Sequence, residues 1–98
     1  MLLFEWDPRK AIKNINVHGI SFDEASTTFS DTLSLTIYDP LHSEQEDRFI
    51  LIGNSLKHRV LVTVHTERGD KIRIISSRKA TENERRQYEE NAKRSGYA

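Results

Sequence analysis

Arg73-Ile-Ile-Ser-Ser-Arg78-Lys79-Ala80-Thr81-Glu-Asn-Glu84-Arg85-Arg-Gln-Tyr88 reads as a β-strand that runs directly into a helix. Ile72, Ile74 and Ile75 are the β-branched apolar residues that suit a pleated, half-buried surface. Thr81, three residues before Glu84, is the signature of a capping box, in which each residue satisfies a backbone N–H of the other. The same stretch gathers Arg73, Arg78, Lys79, Arg85 and Tyr88 where a strand ends and a helix begins. The N–H groups of a helix N-terminus favour anions, so this arrangement suits phosphate.

Upstream the pattern is β. Asp70 to Ser76 is preceded by a tight turn at Arg68-Gly69-Asp70. His58 to Thr66 alternates, with Val60, Val62 and Val64 on one face. Arg48 to Gly53 and Leu33 to Tyr38 complete four strands, and the short connections predict an antiparallel meander with helices over one face. Before them, Leu2 to Trp6 reads as a short strand. Asp7-Pro8 offers an N-cap followed by proline at the first helical position, and Gly19 is a suitable stop. Ser21 with Glu24 starts a second helix carrying Phe22, Ala25 and Phe29. Trp6 is expected in the core. The expectation is an α+β chain with a single domain over residues 1–98: a short N-terminal strand, two helices, a four-stranded antiparallel meander and a C-terminal helix. That last helix is unusually polar. Its apolar side chains between Ala80 and Arg94 are Ala80, Tyr88 and Ala92, so it either frays or is held by something outside the chain.

Size and composition narrow the function classes. A chain of 98 residues supports one modest core and an open groove, which suits a polymer better than an enclosed metabolite pocket. It contains no cysteine, so disulfides and thiol chemistry are excluded. No apolar run approaches the roughly 20 residues of a membrane span, and Met1-Leu2-Leu3-Phe4 stops at Glu5, so a cytoplasmic protein is expected. The formal net charge is zero, but residues 1–50 hold four Lys/Arg against nine Asp/Glu and residues 51–98 hold eleven against six. Such a basic half can meet a phosphate backbone, unless the charges interleave in the fold and cancel.

Alternation places Arg73 on one face with Lys71, Ile75 and Ser77, and Arg48 opens another strand of the same sheet. With Arg78 and Lys79 these could form a basic patch, or could be solvated cations paired in part with Glu46 or Asp47. His65 and His42 are candidate acid/base groups, because imidazole titrates near neutral pH. His65 is expected on the face opposite the valines, exposed in the groove, with Glu67 pointing the other way. Glu46 is the alternative carboxylate base; equally, Glu44, Glu46 and Asp47 could neutralise Arg48. Tyr88 could stack on a base or simply anchor its helix. The histidines at 18, 42, 58 and 65 lack paired ligand spacing, so neither a metal nor any other cofactor is expected.

Several spaced motifs together resemble one family. They are Phe4-Glu5-Trp6-Asp7-Pro8, His18-Gly19-Ile20-Ser21-Phe22 with Glu24-Ala25 and Phe29, His42-Ser43 with Glu46-Asp47-Arg48, Ile52-Gly53, His65-Thr66-Glu67-Arg68-Gly69, and the Arg73–Tyr88 segment. Over about nine-tenths of its length the chain is similar to BrnT-type toxins of bacterial toxin–antitoxin pairs. Val17 departs from the pattern, standing where the family commonly has lysine. The resemblance implies a RelE-like fold and a metal-independent endoribonuclease that inhibits translation. It implies catalytic roles for Arg48, His65, Arg73, Arg78, Lys79 and Glu46, and substrate contacts from Tyr88, His42 and Arg85. It also implies a cognate antitoxin with a ribbon-helix-helix DNA-binding domain, with DNA touched only through that partner and no membrane involved. The alternative is a non-catalytic binding module, a degenerate toxin using the same basic face.

Overall fold

The elements follow in the order β1 (Leu3–Glu5), α1 (Pro8–His18), α2 (Phe22–Thr27), β2 (Leu35–Asp39), β3 (Arg48–Asn54), β4 (Val60–Arg68), β5 (Lys71–Lys79) and α3 (Glu82–Arg94), with single 3₁₀ turns at Thr28–Ser30 and Pro40–His42. This computed structural model describes residues 2–42 and 46–95; Met1, Ser43 and Glu44, quoted above, lie outside the described residues. The sheet order is β1-β5-β4-β3-β2. The meander β2–β5 is antiparallel as expected, and the N-terminal strand joins it as a fifth, parallel member beside β5.

Local chemistry sets these boundaries. The Asp7 carboxylate accepts from the Arg9 N–H at 2.9 Å, and Gly19, at φ 71°, ends α1 in the left-handed conformation that glycine adopts without a Cβ clash. Gly69, at φ 63°, takes the first of the two turn positions between β4 and β5. Ser21 caps Glu24 N–H at 3.0 Å, but the Glu24 carboxylate does not reach back. It is buried instead, accepting from Ser55 Oγ at 2.8 Å and from both Nε and Nη2 of Arg59.

One sheet face is covered by α1 and α2. Phe22, Ala25, Ile72 and Ile74 form its core, with Phe4, Trp6, Ala11 and Phe29 packed around them. Asn14 fixes α1 to the part of β5 that β1 is too short to cover. Its amide donates to the carbonyls of Ser77 and Ile20 at 2.8 Å and accepts from the Ser77 N–H at 3.0 Å, standing in for a missing strand.

The Glu24–Arg59 pair ties α2 to the β3–β4 loop, and its removal tests the fold. The Glu24 side chain is 3% exposed, so Arg59→Ala leaves a buried carboxylate with one remaining partner. Arg59 itself is 31% exposed, so water recovers part of the loss and the cost is expected near 2–3 kcal/mol. Hydrogen bonds from Arg59 hold the Glu24 pKa below its usual value against the opposing effect of burial. A lowered folded-state pKa contributes stability that is present above the unfolded carboxylate pKa and lost as pH falls through the folded value. Urea unfolding of wild type between about pH 7 and 3 should show that loss, and Arg59→Ala should flatten it. An unchanged midpoint at pH 7 in Arg59→Ala would mean that the pair does not hold the fold.

Candidate active site

The second sheet face carries a single row of residues across all five strands. Glu5 of β1 pairs with Arg73 of β5, Arg73 with Thr66 of β4, Thr66 with Arg48 of β3, and Arg48 with Asp39 of β2. Directly opposed residues point to the same side of a sheet, so Arg48 and Arg73 share a face, with Thr66 between them and a carboxylate at either end. Strand spacing puts the two arginine Cα atoms about 10 Å apart, within reach of one phosphate from both sides.

A β-bulge decides what joins them. Val64 pairs with Ser76 but His65 pairs with Ile74, so Ile75 is an extra residue in β5. Strict alternation would put Ser77 on the Arg73 face; the bulge turns it to the opposite, helix-covered side, where its hydroxyl lies 2.9 Å from that of Thr63. Arg78 consequently opposes Val62 on the Arg73 face. There it is spent: its guanidinium makes bidentate bonds of 2.7 and 2.8 Å to Glu84. That pair holds Glu84 far below the ordinary carboxylate range, at about 2, and places α3 over this end of the second face, against β3. The helices therefore do not all lie on one face.

The other end of the face stays open as a groove of about 460 Å³. Arg48, Thr66 and Arg73 form its floor, with Lys10, Leu41, His42, Glu46 and Ile75 around them. Thr66 is 3% exposed and its hydroxyl has no hydrogen-bond partner among the described residues. It lies near enough to Glu46 to help lower that carboxylate's pKa, but without hydrogen-bond geometry. The stronger hold on Glu46 is Arg68, which grips both carboxylate oxygens at 2.6 and 2.8 Å and keeps the pKa low. Glu46 is thus paired with Arg68 rather than with Arg48, and Asp47 instead accepts from the Tyr38 hydroxyl at 3.1 Å. A carboxylate held ionised in this way is a weak base.

The two candidate histidines part company. His42 lines the groove, with Nδ1 2.9 Å from the Asp39 carboxylate. His65, expected in the groove, is fully buried on the helix-covered face, with ring centroids 4.8 Å from Phe29 and 5.8 Å from Phe49. Its Nε2 lies 2.9 Å from Glu67, which shares its face because residues two apart on a strand do so.

Three further expected residues do not line the groove. Lys79 opposes Leu61 at the far end of β5, and Arg85 is exposed on α3. The Tyr88 hydroxyl donates to Asp31 at 2.6 Å, and burial together with that bond raises its pKa, so Tyr88 anchors α3. At the α3 N-terminus the N–H groups of Thr81 and Glu84 are taken by their reciprocal capping, which places the Glu84 carboxylate there.

Comparison with known proteins gives this geometry its context. A family model described as the ribonuclease toxin BrnT of type II toxin–antitoxin systems matches residues 6–84. The chain belongs to the BrnT family. Among solved structures it is similar to the crystal structure of the Brucella abortus ribonuclease toxin BrnT, with a TM-score of 0.61 and 21% identity over 84% of this chain and 100% of that one, a likeness of fold. Comparison with curated protein sequences gave no match. The groove-lining residues among those described all fall inside the segment matched to the BrnT family. Two of them, Lys10 and Thr66, carry polar groups that sequence reasoning missed. Thr66 was legible as the strand position between His65 and Glu67, but nothing in sequence placed it between two arginines. Lys10 gave no signal at all.

Proposed function

We propose that this BrnT-family protein is a metal-independent endoribonuclease in which Arg48, Arg73 and Thr66 bind the scissile phosphate and His42 moves the proton. The observation that carries this reading is the five-residue row, with a buried hydroxyl between two arginines that has no hydrogen-bond partner among the described residues. RNA cleavage by its own 2′-OH places extra negative charge on phosphorus as the 2′-oxygen bonds to it and the P–O5′ bond breaks. The guanidiniums meet that charge through planar, charge-assisted hydrogen bonds, and the Thr66 hydroxyl donates to a non-bridging oxygen. The products are a 2′,3′-cyclic phosphate and a 5′-hydroxyl. One proton leaves the 2′-OH and one reaches the 5′-oxygen; His42, oriented by Asp39, is the group in the groove able to carry one of them. A groove faced by two arginines, a lysine and a histidine, with Glu46 already held by Arg68, suits an anionic transition state better than a divalent cation.

In the cell such an enzyme would lower translation by destroying RNA in the cytoplasm. Its antitoxin, expected to carry a ribbon-helix-helix domain and to make the DNA contacts, would silence it by covering the groove. The test is incubation of the purified protein with RNA in excess EDTA, with analysis of the new ends. Fragments ending in 2′,3′-cyclic phosphate are expected. RNA that is bound but left intact would replace this reading with that of a non-catalytic binding module.

A further inference from the structure

The groove continues past Ile75. A second cleft of about 240 Å³ opens between α1 and β5, lined by Lys10, Lys13, Val17, His18, Ile75 and Ser76. It shares Lys10 and Ile75 with the groove, so the two lie side by side. We propose that this cleft is a subsite for a nucleotide flanking the scissile phosphate, with Lys10 and Lys13 on the RNA backbone and the base against Val17, Ile75 and His18.

Three observations support that occupant. Lys10, Lys13 and Val17 are spaced i, i+3 and i+7 on α1, which sets two ammonium groups and an apolar side chain along one helix face. Val17 is 62% exposed and lines the cleft, so it offers an accessible apolar surface beside the two lysines. No carboxylate lines the cleft among the described residues, so its charge complements a phosphate backbone. Asn14, in the cleft wall, ties α1 to the Ser77 backbone, and Ile75, the extra residue of the bulge, lines both chambers. A base resting on apolar side chains and an imidazole, with lysines on the adjoining phosphates, is an ordinary mode of single-stranded RNA binding.

This inference rests on the ribonuclease reading, and one binding experiment separates the two. The probe is a short 2′-O-methyl RNA oligonucleotide, which cannot be cut by 2′-OH attack, titrated by fluorescence anisotropy over a range of salt. Lys13→Ala is expected to weaken binding by about 3- to 10-fold and to reduce the salt slope by about 0.7, the loss of one phosphate contact on a single strand. Val17→Asp should weaken it further by placing a carboxylate against the backbone. Lys57→Ala, on the β3–β4 loop, should change neither quantity. On cleavable RNA, Lys13→Ala should raise KM and leave kcat unaltered. If Lys13→Ala and Val17→Asp both bind as wild type while Arg73→Ala is weakened, the subsite is wrong and the groove stands. If Arg73→Ala also binds as wild type, the ribonuclease reading fails and takes the subsite with it.

Discussion

His42→Ala is expected to lower kcat by roughly 10²–10⁴-fold, the usual cost of losing a positioned general acid or base. Its fold should persist, because the side chain is 65% exposed and among the described residues it is paired with Asp39. His65 supplies the control. It is fully buried between Phe29 and Phe49, and its Nδ1 has no hydrogen-bond partner among the described residues. Truncation to alanine would open a cavity and cost about 2–4 kcal/mol, confusing stability with chemistry. His65→Phe avoids that difficulty, because it keeps an aromatic ring in an aromatic pocket and removes a buried polar atom. Glu67, 44% exposed, can turn to water once its partner is gone. The expected pair of results is therefore an inactive, stable His42→Ala and a His65→Phe whose kcat stays within a few-fold of wild type. Single-turnover cleavage alongside thermal melts would decide it. A fully active His42→Ala would remove His42 from the proton transfer, and a His65→Phe that melts normally but cuts nothing would return it to the buried histidine.

The burial of His65 shows where sequence reading stops. The strands, the caps at Asp7, Ser21 and Thr81, the Gly19 stop and the Gly69 turn are local features, and each is set by residues within a few positions of it. The same holds for the shared face of Arg48 and Arg73, which follows from alternation once the meander is paired. Which face is open is a different kind of fact. His65 lies on the side that receives Phe29 and Phe49, and neither contact is local in sequence. The bulge at Ile75 was equally hidden, because a one-residue insertion leaves no mark in a run of β-branched residues, yet it changes the side on which Arg78 emerges. Arg78 and Glu84 illustrate the same limit. Both were legible as charged residues around a helix start, but their bidentate pairing turns a candidate phosphate ligand into the clasp of α3. That clasp, with the Tyr88–Asp31 bond, also accounts for how a helix with no buried residue stays on the sheet.

Arg73→Ala and Arg48→Ala should each lower kcat by roughly 10²–10³-fold, the scale seen when a preorganised donor to a developing negative charge is removed. Stability should change little for Arg73, whose contact with Glu5 is 3.9 Å long with both side chains 38% exposed; such pairs contribute at most about 1 kcal/mol. Lysine should not rescue either position, because a point charge cannot reproduce the planar fork that meets two phosphate oxygens at once. The double substitution should cost less than the product of the singles if both guanidiniums grip one phosphate. Thr66→Val tests the space between them more sharply. Valine keeps the shape and removes a buried hydroxyl that has no partner among the described residues, so the folded protein should be as stable as wild type or more so. The same change removes a donor to a charged oxygen, worth roughly 1.5–3 kcal/mol, or about 10- to 100-fold in kcat. A variant that melts higher and cuts slower would mark Thr66 as held unsatisfied for the substrate. If Thr66→Val is instead destabilised and fully active, the hydroxyl serves the fold, and the row between the two arginines loses its centre.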